Sequence, residues 1–297
     1  MKRHPDPGPQ RELLVFAHAN GFPAGSYRVL LDLLREDYEV LAPDMLGHCP
    51  RFPVSDCWPQ LLQELREFVQ QHAGQRRVVL VGHSLGGLLG LMLAASDPQR
   101  LRAVVLLDSP LVAGWRAALL WAAKRTGTVR RFAPVQPALR RRERWPDLDA
   151  VREHFRAKAP FAAWDPHMLD DYASSGTLQH QGERVLRFRR EVEAQIYATL
   201  PHHLGRLGLR RSPVPIGFVG GTESQELAMA GMRATRRLVG RRLRWIPGGS
   251  HLFPFEQPQA AARAIGELLR DMGVPVAAGD AGSGLPIMPI SRSDTAS

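Results

Sequence analysis

Val78-Val79-Leu80-Val81-Gly82-His83-Ser84-Leu85-Gly86-Gly87 decides the fold of this chain, because it contains a strand, a sharp turn and the start of a helix. The four apolar residues before the turn are typical of a buried strand, and residues 88–93 continue as an apolar helix. Gly82, Ser84 and Gly86 form the pattern G-x-S-x-G, the nucleophile elbow. A Cβ two residues before or after the serine would clash where the backbone folds back. The pattern predicts a serine hydroxyl raised above the edge of a sheet.

Two other interpretations of this stretch stay open. It is also compatible with a glycine-rich connection whose serine is inert, since the motif alone is weak. Residues 78–96 carry no charge, so a transmembrane helix is a further alternative, although the central glycines argue against insertion into a bilayer.

Length and composition limit the class of protein. The 297 residues suffice for one large α/β domain or two small ones. Cys49 and Cys57 are the only cysteines, which excludes a disulfide framework and favours a reducing, cytoplasmic compartment. Residues 1–10 are polar and proline-rich, so we expect no signal peptide.

Apolar runs and amphipathic segments alternate along the chain. Strands are predicted at 13–17, 38–42, 77–81, 101–107, 214–219 and 241–246, with helices at 25–35, 58–72, 85–96, 226–238 and 258–271. Strands separated by helices indicate a parallel sheet that is covered on both faces. The predicted fold class is therefore α/β.

The interval 111–212 breaks this alternation, because it shows helical spacing and no clear strand. It contains 19 Lys and Arg against 10 Asp and Glu, so nearly all of the chain's net charge of +10 lies here. A helical lid inserted in a core made of 11–110 and 213–272 is the simplest interpretation, with a disordered tail at 273–297. The charge indicates a solvated surface, or attraction of anionic substrates or of an anionic membrane surface. No nucleic-acid-binding motif accompanies it.

The chain resembles the α/β-hydrolase superfamily over about residues 12–272. The resemblance rests on four stretches in the family's order: 16–22 for the His-Gly loop, 43–48 for the D-x-x-G-H turn, the elbow, and 246–251 for the histidine loop. It implies a three-layer α/β-hydrolase fold with a mostly parallel sheet and a helical lid. Only about a dozen residues precede the first predicted strand. The sheet is therefore expected to have about six strands without the family's first two, unless the natural start lies further upstream.

Ser84 and His251 are the predicted nucleophile and general base. A free hydroxyl is a poor nucleophile and needs a base within hydrogen-bond reach. His251 follows the last predicted strand on a glycine-rich loop that can place an imidazole above the serine. His18 and His48 belong to the loop-shaping parts of the resembled pattern. The alternative for His251 is an ordinary surface histidine.

The acid that would orient His251 is either Asp108 or Glu223. The family usually has an aspartate after its seventh strand, but the corresponding position here is Ser224. Glu223 is adjacent to that position. Asp108 ends the strand next to the elbow strand, where haloalkane dehalogenases of similar layout carry their acid. A carboxylate buried there needs a partner such as a histidine, so Asp108 is preferred.

Further residues are predicted to surround the reacting groups. The backbone N–H groups of Leu85 and Asn20 would form the oxyanion hole. Phe22, His83 and Trp115 are candidates for the substrate pocket, with ordinary core packing as the alternative.

The predicted activity is that of a serine hydrolase that cleaves an ester, thioester or related acyl bond of a small molecule through an acyl-enzyme. The alternatives are C–C bond hydrolysis or perhydrolysis on the same scaffold, and a non-catalytic homologue that binds a ligand. We expect no metal, no cofactor and no nucleic acid, and at most weak contact of the basic lid with an anionic surface. The oligomeric state is not predicted.

Overall fold

The computed structural model describes residues 11–131, 134–209 and 212–275. The predicted disordered tail lies outside this range apart from 273–275. The strands of the described residues are β1 (Leu13–Ala17), β2 (Glu39–Leu41), β3 (Val78–His83), β4 (Leu101–Leu107), β5 (Arg144–Trp145), β6 (Thr177–His180), β7 (Glu183–Leu186), β8 (Ile216–Gly221) and β9 (Leu243–Ile246). The α-helices are α1 (Arg28–Arg35), α2 (Pro59–Ala73), α3 (Leu85–Ser96), α4 (Trp115–Arg125), α5 (Val135–Leu139), α6 (Leu148–Arg156), α7 (Pro166–Ser175), α8 (Arg190–Ala198), α9 (Gln225–Ala230), α10 (Arg233–Val239), α11 (Phe253–Glu256) and α12 (Pro258–Asp271). None of these helices is both long and apolar enough to cross a bilayer.

Six parallel strands form the central sheet in the order β2-β1-β3-β4-β8-β9. Parallel neighbours need crossover connections, which place helices on both faces of the sheet. β3 is buried along its whole length, as its run of Val and Leu predicts. The predicted α/β fold with about six strands is confirmed. The elbow strand β3 lies near the middle of the sheet, between β1 and β4.

The alternation of side chains along β1 divides the core between the two faces of the sheet. Leu14 and Phe16 join a buried cluster on one face. Leu13, Val15 and Ala17 join a second cluster on the other face. Full burial of one large apolar side chain stabilises the fold by about 1.5–3 kcal/mol, so both faces must be covered.

Most predicted elements agree with the structure, and one differs in an instructive way. α3, β4 and α12 begin and end at the predicted residues. The predicted helix over 226–238 is two helices, α9 and α10. Gly231 separates them with a φ of +76°, a left-handed conformation that no α-helix continues through.

The chain between β4 and β8 contains a small sheet that the sequence pattern did not indicate. β5, β7 and β6 form this antiparallel sheet, and their two to four residues are too short to show an alternating pattern. Gln181 and Gly182 both have positive φ, which suits the tight turn between β6 and β7.

Aromatic side chains join this inserted segment to the rest of the fold. Trp164 stacks on Phe255 at 4.2 Å between ring centroids, and Tyr172 lies 5.4 Å from Phe22. These residues belong to the same buried cluster as Phe16 of the central sheet. The segment therefore shares a hydrophobic core with the sheet.

The glycines of the elbow are required by close backbone contacts. An ideal Cβ on Gly82 would lie 2.3 Å from the carbonyl carbon of Gly86, and one on Gly86 would lie 2.0 Å from the carbonyl oxygen of Ala17. One on Gly87 would lie 2.1 Å from Oγ of Ser109. The elbow is therefore wedged between the ends of β1 and β4, and the spacing of its glycines follows from that contact.

We predict that Gly86→Ala lowers the free energy of unfolding by about 3 kcal/mol or more, because backbone atoms of β1 must move to admit the methyl group. Urea unfolding measures the change. Gly266→Ala in α12 is the matched control, since its Cβ would meet only the far end of Arg270 at 3.5 Å. The control should alter stability by less than about 1 kcal/mol, in the stabilising direction. Equal stability of the two variants would contradict this account of the elbow.

Candidate active site

Ser84 lies at the turn between β3 and α3 in a strained backbone conformation. Its φ is 51° and its ψ is −109°, a combination of backbone angles that residues other than glycine rarely adopt. The N–H of Ser84 donates to the carbonyl oxygen of Leu107 at 2.9 Å, which ties the turn to the end of β4. The residue is partly exposed, whereas the strand before it is buried. The hydroxyl therefore lies at the carboxyl edge of the sheet.

Asp108 follows β4 at the same edge and is fully buried. Its φ of 43° is also strained. The oxygen Oδ2 accepts a hydrogen bond from the N–H of Gly221 at 3.0 Å. The oxygen Oδ1 accepts from Oγ of Ser224 at 2.6 Å and contacts Nδ1 of His251 at 2.8 Å. A buried carboxylate is costly unless it is hydrogen-bonded, and here both oxygens have partners.

His251 lies on the loop after β9, with 18% of its side chain exposed. Because a carboxylate only accepts, Nδ1 of His251 donates to Asp108. The carbonyl oxygen of His251 accepts from Nε2 of His83 at 2.9 Å. Among the described residues, Nε2 of His251 has no hydrogen-bond partner. This tautomer leaves Nε2 with a free lone pair, as a general base requires.

The electrostatic surroundings favour a protonated His251. Burial by itself lowers its pKa. The hydrogen bond to Asp108 and the carboxylates of Glu226 and Glu256 outweigh burial and raise the pKa above the ordinary value for histidine. An imidazolium formed on this side chain is therefore stabilised.

The structure distinguishes the two acids that the sequence left open. Glu223 is exposed, and its side chain has no hydrogen bond or ion pair with the described residues. Ser224, which occupies the family's usual acid position, hydrogen-bonds to Asp108 instead. Asp108 is therefore the acid that contacts His251, and the catalytic role of that contact stays a prediction.

Sequence reasoning missed Ser224 and Glu226. Oε2 of Glu226 lies 3.8 Å from Nδ1 of His251 and 3.4 Å from Oγ of Ser224. Ser224 caps α9 by accepting from the N–H of Leu227, so a serine directly before a predicted helix with an acidic residue in its first turn was the available signal.

His83, predicted in the substrate pocket, is placed elsewhere. It is fully buried, and both ring nitrogens have partners. The hydroxyl of Tyr27 accepts from the N–H of Ala19 at 3.2 Å and donates to Nδ1 of His83 at 2.7 Å, while Nε2 of His83 donates to His251. Burial holds the pKa of His83 well below its ordinary value, so the ring is neutral. This chain of hydrogen bonds joins the loop after β1 to the histidine loop.

The predicted oxyanion donors lie on neighbouring segments. Leu85 is the first residue of α3, so its N–H has no partner within the helix. Asn20 lies on the loop after β1. The last residue of β1, Ala17, contacts Gly86 in the first turn of α3. The side chain of Asn20 donates to the carbonyl oxygen of Glu193 at 3.0 Å, which anchors this loop to α8.

A buried ion pair lies beside the same loop. Nη2 of Arg141 donates to Oε1 of Glu193 at 2.8 Å. The same oxygen lies so close to the backbone of Gly21 that a Cβ on this glycine would be only 2.7 Å from it. Arg141 belongs to the basic interval 111–212, for which the sequence indicated a solvated surface as one interpretation, yet its side chain is only 21% exposed.

The other two pocket candidates lie apart. Phe22 is 8% exposed and packs against Tyr172 and Phe255. Trp115 is 64% exposed and borders a cavity of about 990 Å³. Neither Ser84 nor His251 lines that cavity, so this cavity and the candidate chemistry occupy different places.

One group among the described residues has the composition of a metal site. Ligand atoms of Asp108, Glu226 and His251 lie within 4.8 Å of one another. Two of these residues form the hydrogen-bonded pair described above. Metal binding at Nδ1 would therefore displace the proton that joins them.

Comparison with known proteins agrees with the fold. The sequence profile of the Alpha/beta hydrolase family matches residues 14–264. The chain is 34% identical over 103 residues to the uncharacterized hydrolase YugF of Bacillus subtilis (strain 168), covering 34% of this chain and 38% of YugF. It is 28% identical over 272 residues to a probable serine hydrolase of Drosophila melanogaster, covering 87% and 71% of the two chains.

A solved structure is similar over a greater length. The E-2-(acetamidomethylene)succinate hydrolase matches with a TM-score of 0.71 and 21% identity, over 89% of this chain and 92% of that one. An identity this low shows the fold alone. The first curated relatives, by contrast, are matched over only 37% to 42% of their own length.

We predict that Glu226→Gln lowers the pKa of His251, because removal of a nearby negative charge destabilises the imidazolium. Glu223→Gln, three residues earlier in the sequence and before the start of α9, is the matched control and should leave the pKa of His251 unchanged. NMR titration of the His251 ring measures both. The acid limb of the pH–activity profile should also move to lower pH in Glu226→Gln. A shift of equal size in the control, or an upward shift, would contradict the proposed electrostatics.

Proposed function

The chain belongs to the α/β-hydrolase family and is an enzyme, and on that premise we propose that it is a serine hydrolase that cleaves an ester, thioester or related acyl bond of a small molecule. The contact of 2.8 Å between Nδ1 of His251 and the buried Asp108 carries the proposal, because it supplies an oriented base. Ser84 lies at the same edge of the sheet on a strained turn. The name of the Drosophila relative agrees with a serine mechanism.

In the proposed reaction, Oγ of Ser84 attacks the carbonyl carbon of the substrate while Nε2 of His251 accepts the hydroxyl proton. The carbonyl π electrons move to oxygen, and the resulting oxyanion is stabilised by the N–H groups of Leu85 and Asn20. Collapse of the tetrahedral intermediate expels the alcohol or thiol, which receives the proton from His251. A water molecule then cleaves the acyl-enzyme by the same two steps.

Asp108 has two roles in this reaction. Its hydrogen bond keeps the proton on Nδ1, so that Nε2 is the basic nitrogen. Its negative charge stabilises the imidazolium that forms when His251 takes the proton from Ser84. The N–H of Gly221 and the hydroxyl of Ser224 hold the carboxylate in place, because both donate to it.

The surroundings of the site set limits on the substrate. Phe22 follows the loop of Asn20 and stays the candidate for contact with the acyl group. Epoxide hydrolases and dehalogenases use an aspartate at the elbow, so the serine at position 84 favours acyl transfer over those reactions.

We predict that a fluorophosphonate probe labels Ser84, and that Ser84→Ala abolishes both labelling and hydrolysis of p-nitrophenyl esters. Loss of the nucleophile should reduce kcat on the order of 10⁶-fold, as in related Ser-His-Asp enzymes. His251→Ala should cost nearly as much, and the double variant little more than either single one, since the two residues act together. Full activity of Ser84→Ala would refute the serine mechanism, and additive losses would separate the two residues.

Asp108→Asn should reduce kcat by roughly 10⁴-fold, because the amide preserves the shape of the side chain but favours the wrong tautomer of His251. Glu223→Gln is its matched control and should change kcat by less than about tenfold. Steady-state kinetics on one ester compares the two variants. The opposite ranking would assign the acid to the loop after β8.

A further inference from the structure

The cavity of about 990 Å³ has the size of a small-molecule site and lies outside the candidate active site. It lies between α4, the chain around residues 202–206 and the start of α10. Ser84, Asp108 and His251 do not line it. A ligand bound here would therefore be recognised by residues that the hydrolytic reaction does not use.

Four arginines give this cavity its charge. Its lining contains no Asp or Glu, and the guanidinium groups come from Arg116, Arg206, Arg233 and Arg237. None of the four forms an ion pair within the described part of the chain. Some arginines elsewhere in the protein do face carboxylates, as Arg152 does with Asp149 and Asp170. The positive charge around the cavity is therefore uncompensated.

Two of these arginines lie on walls that meet. The guanidinium of Arg116 on α4 packs against the turn before α10. If Gly231 in that turn carried a Cβ, this atom would lie 3.3 Å from Nη1 of Arg116. Arg233 begins α10, two residues after that glycine. Arginine presents a planar set of donors that matches phosphate oxygens, and paired arginines hold such a group from two sides.

The two histidines of the lining add no charge to that of the arginines. Burial, followed by the nearby Lys124, lowers the pKa of His202. Burial, followed by His202 and Lys124, lowers the pKa of His203. The positive charge of Lys124 is compensated by Asp56, with which it forms an ion pair. Both histidines are therefore neutral near pH 7 and offer hydrogen bonds rather than charge.

Two tryptophans supply an apolar surface beside the arginines. Trp115 and Trp121 both line the cavity, and Trp121 is 49% exposed. The guanidinium of Arg116 lies over the Trp115 ring at 4.6 Å from its centroid. Large exposed aromatic faces are unusual on a protein surface and commonly mark a binding site. A planar or apolar ligand group would cover them.

We propose that this cavity binds a soluble organic phosphate, with the phosphate held by Arg116 and Arg233 and its apolar or aromatic part against Trp115 and Trp121. The concave shape favours a small molecule over the flat surface of a membrane. The proposal does not depend on Ser84 or on the hydrolytic mechanism.

Adenosine diphosphate (ADP) is a suitable probe, because it combines an aromatic base with a diphosphate and has no carboxylic ester to hydrolyse. Calorimetry on the full chain should show saturable binding with a Kd below about 1 mM. Adenosine and pyrophosphate should each bind more weakly, since each offers half of the recognised chemistry. Tryptophan fluorescence should change on addition of ADP.

The double variant Arg116→Ala/Arg233→Ala should weaken ADP binding by at least about tenfold, because it removes two charge-assisted contacts. Arg51→Ala/Arg144→Ala is the matched control, with the same loss of two charges at arginines that are ion-paired on the surface. It should bind ADP within about twofold of the native chain. Circular-dichroism spectra and urea-unfolding midpoints close to those of the native chain would show that both double variants are folded.

Three results would overturn the proposal. One is the absence of saturable ADP binding to the native chain. The second is an equal loss of binding in both double variants, which would show only a general effect of net charge. The third is co-sedimentation with phosphatidylserine vesicles that Arg116→Ala/Arg233→Ala abolishes, without any binding of ADP. That result would assign the basic face to a lipid surface.

Discussion

The carboxylate of Asp108 lies at the centre of the candidate site without access to water, and its stability depends on donors from two other parts of the chain. The N–H of Gly221 and the hydroxyl of Ser224 reach it from the end of β8, and the imidazole of His251 reaches it from the loop after β9. A buried, unpaired carboxylate would cost several kcal/mol, so these contacts must form together. They are available only if β4, β8 and β9 are adjacent and parallel.

A second constraint acts at the elbow, where the backbone rather than a side chain determines the geometry. Gly82, Gly86 and Gly87 leave no room for a Cβ, because β1, the elbow and β4 touch there. The strained φ of Ser84 is held by its hydrogen bond to Leu107. His83 extends the same network, since its two ring nitrogens connect Tyr27 with the backbone of His251. Close backbone contacts and hydrogen bonds together hold the elbow and the histidine loop against each other, and they maintain the strained conformation of Ser84.

The inserted segment between β4 and β8 contributes in two different ways. Its aromatic residues complete the core through contacts such as Trp164 on Phe255. Its basic residues separate into two groups, because arginines such as Arg141 are ion-paired whereas those around the cavity are not. The excess positive charge of this segment is therefore not one uniform surface, and two of its unpaired arginines, Arg116 and Arg206, line the cavity beside the exposed tryptophans.

Local pattern in the sequence was sufficient for the sheet and for the elbow, since runs such as 78–83 and 101–107 are buried on both faces and read as continuous apolar strands. It also indicated Ser84, Asp108 and His251, because each follows a predicted strand at the edge where parallel strands end. It preferred Asp108 without excluding Glu223, and it did not place His83, because hydrogen-bond partners 113 to 168 residues apart in sequence are brought together only by the order of strands. The sequence pattern did not predict the small sheet of β5, β7 and β6, because strands of two to four residues are too short to show an alternating pattern.

Tertiary structure alone decided which charges are paired, since pairing depends on side chains from distant segments meeting in space. The sequence determined which chemical groups are present and where strands end, and the packing of those ends determined which groups meet.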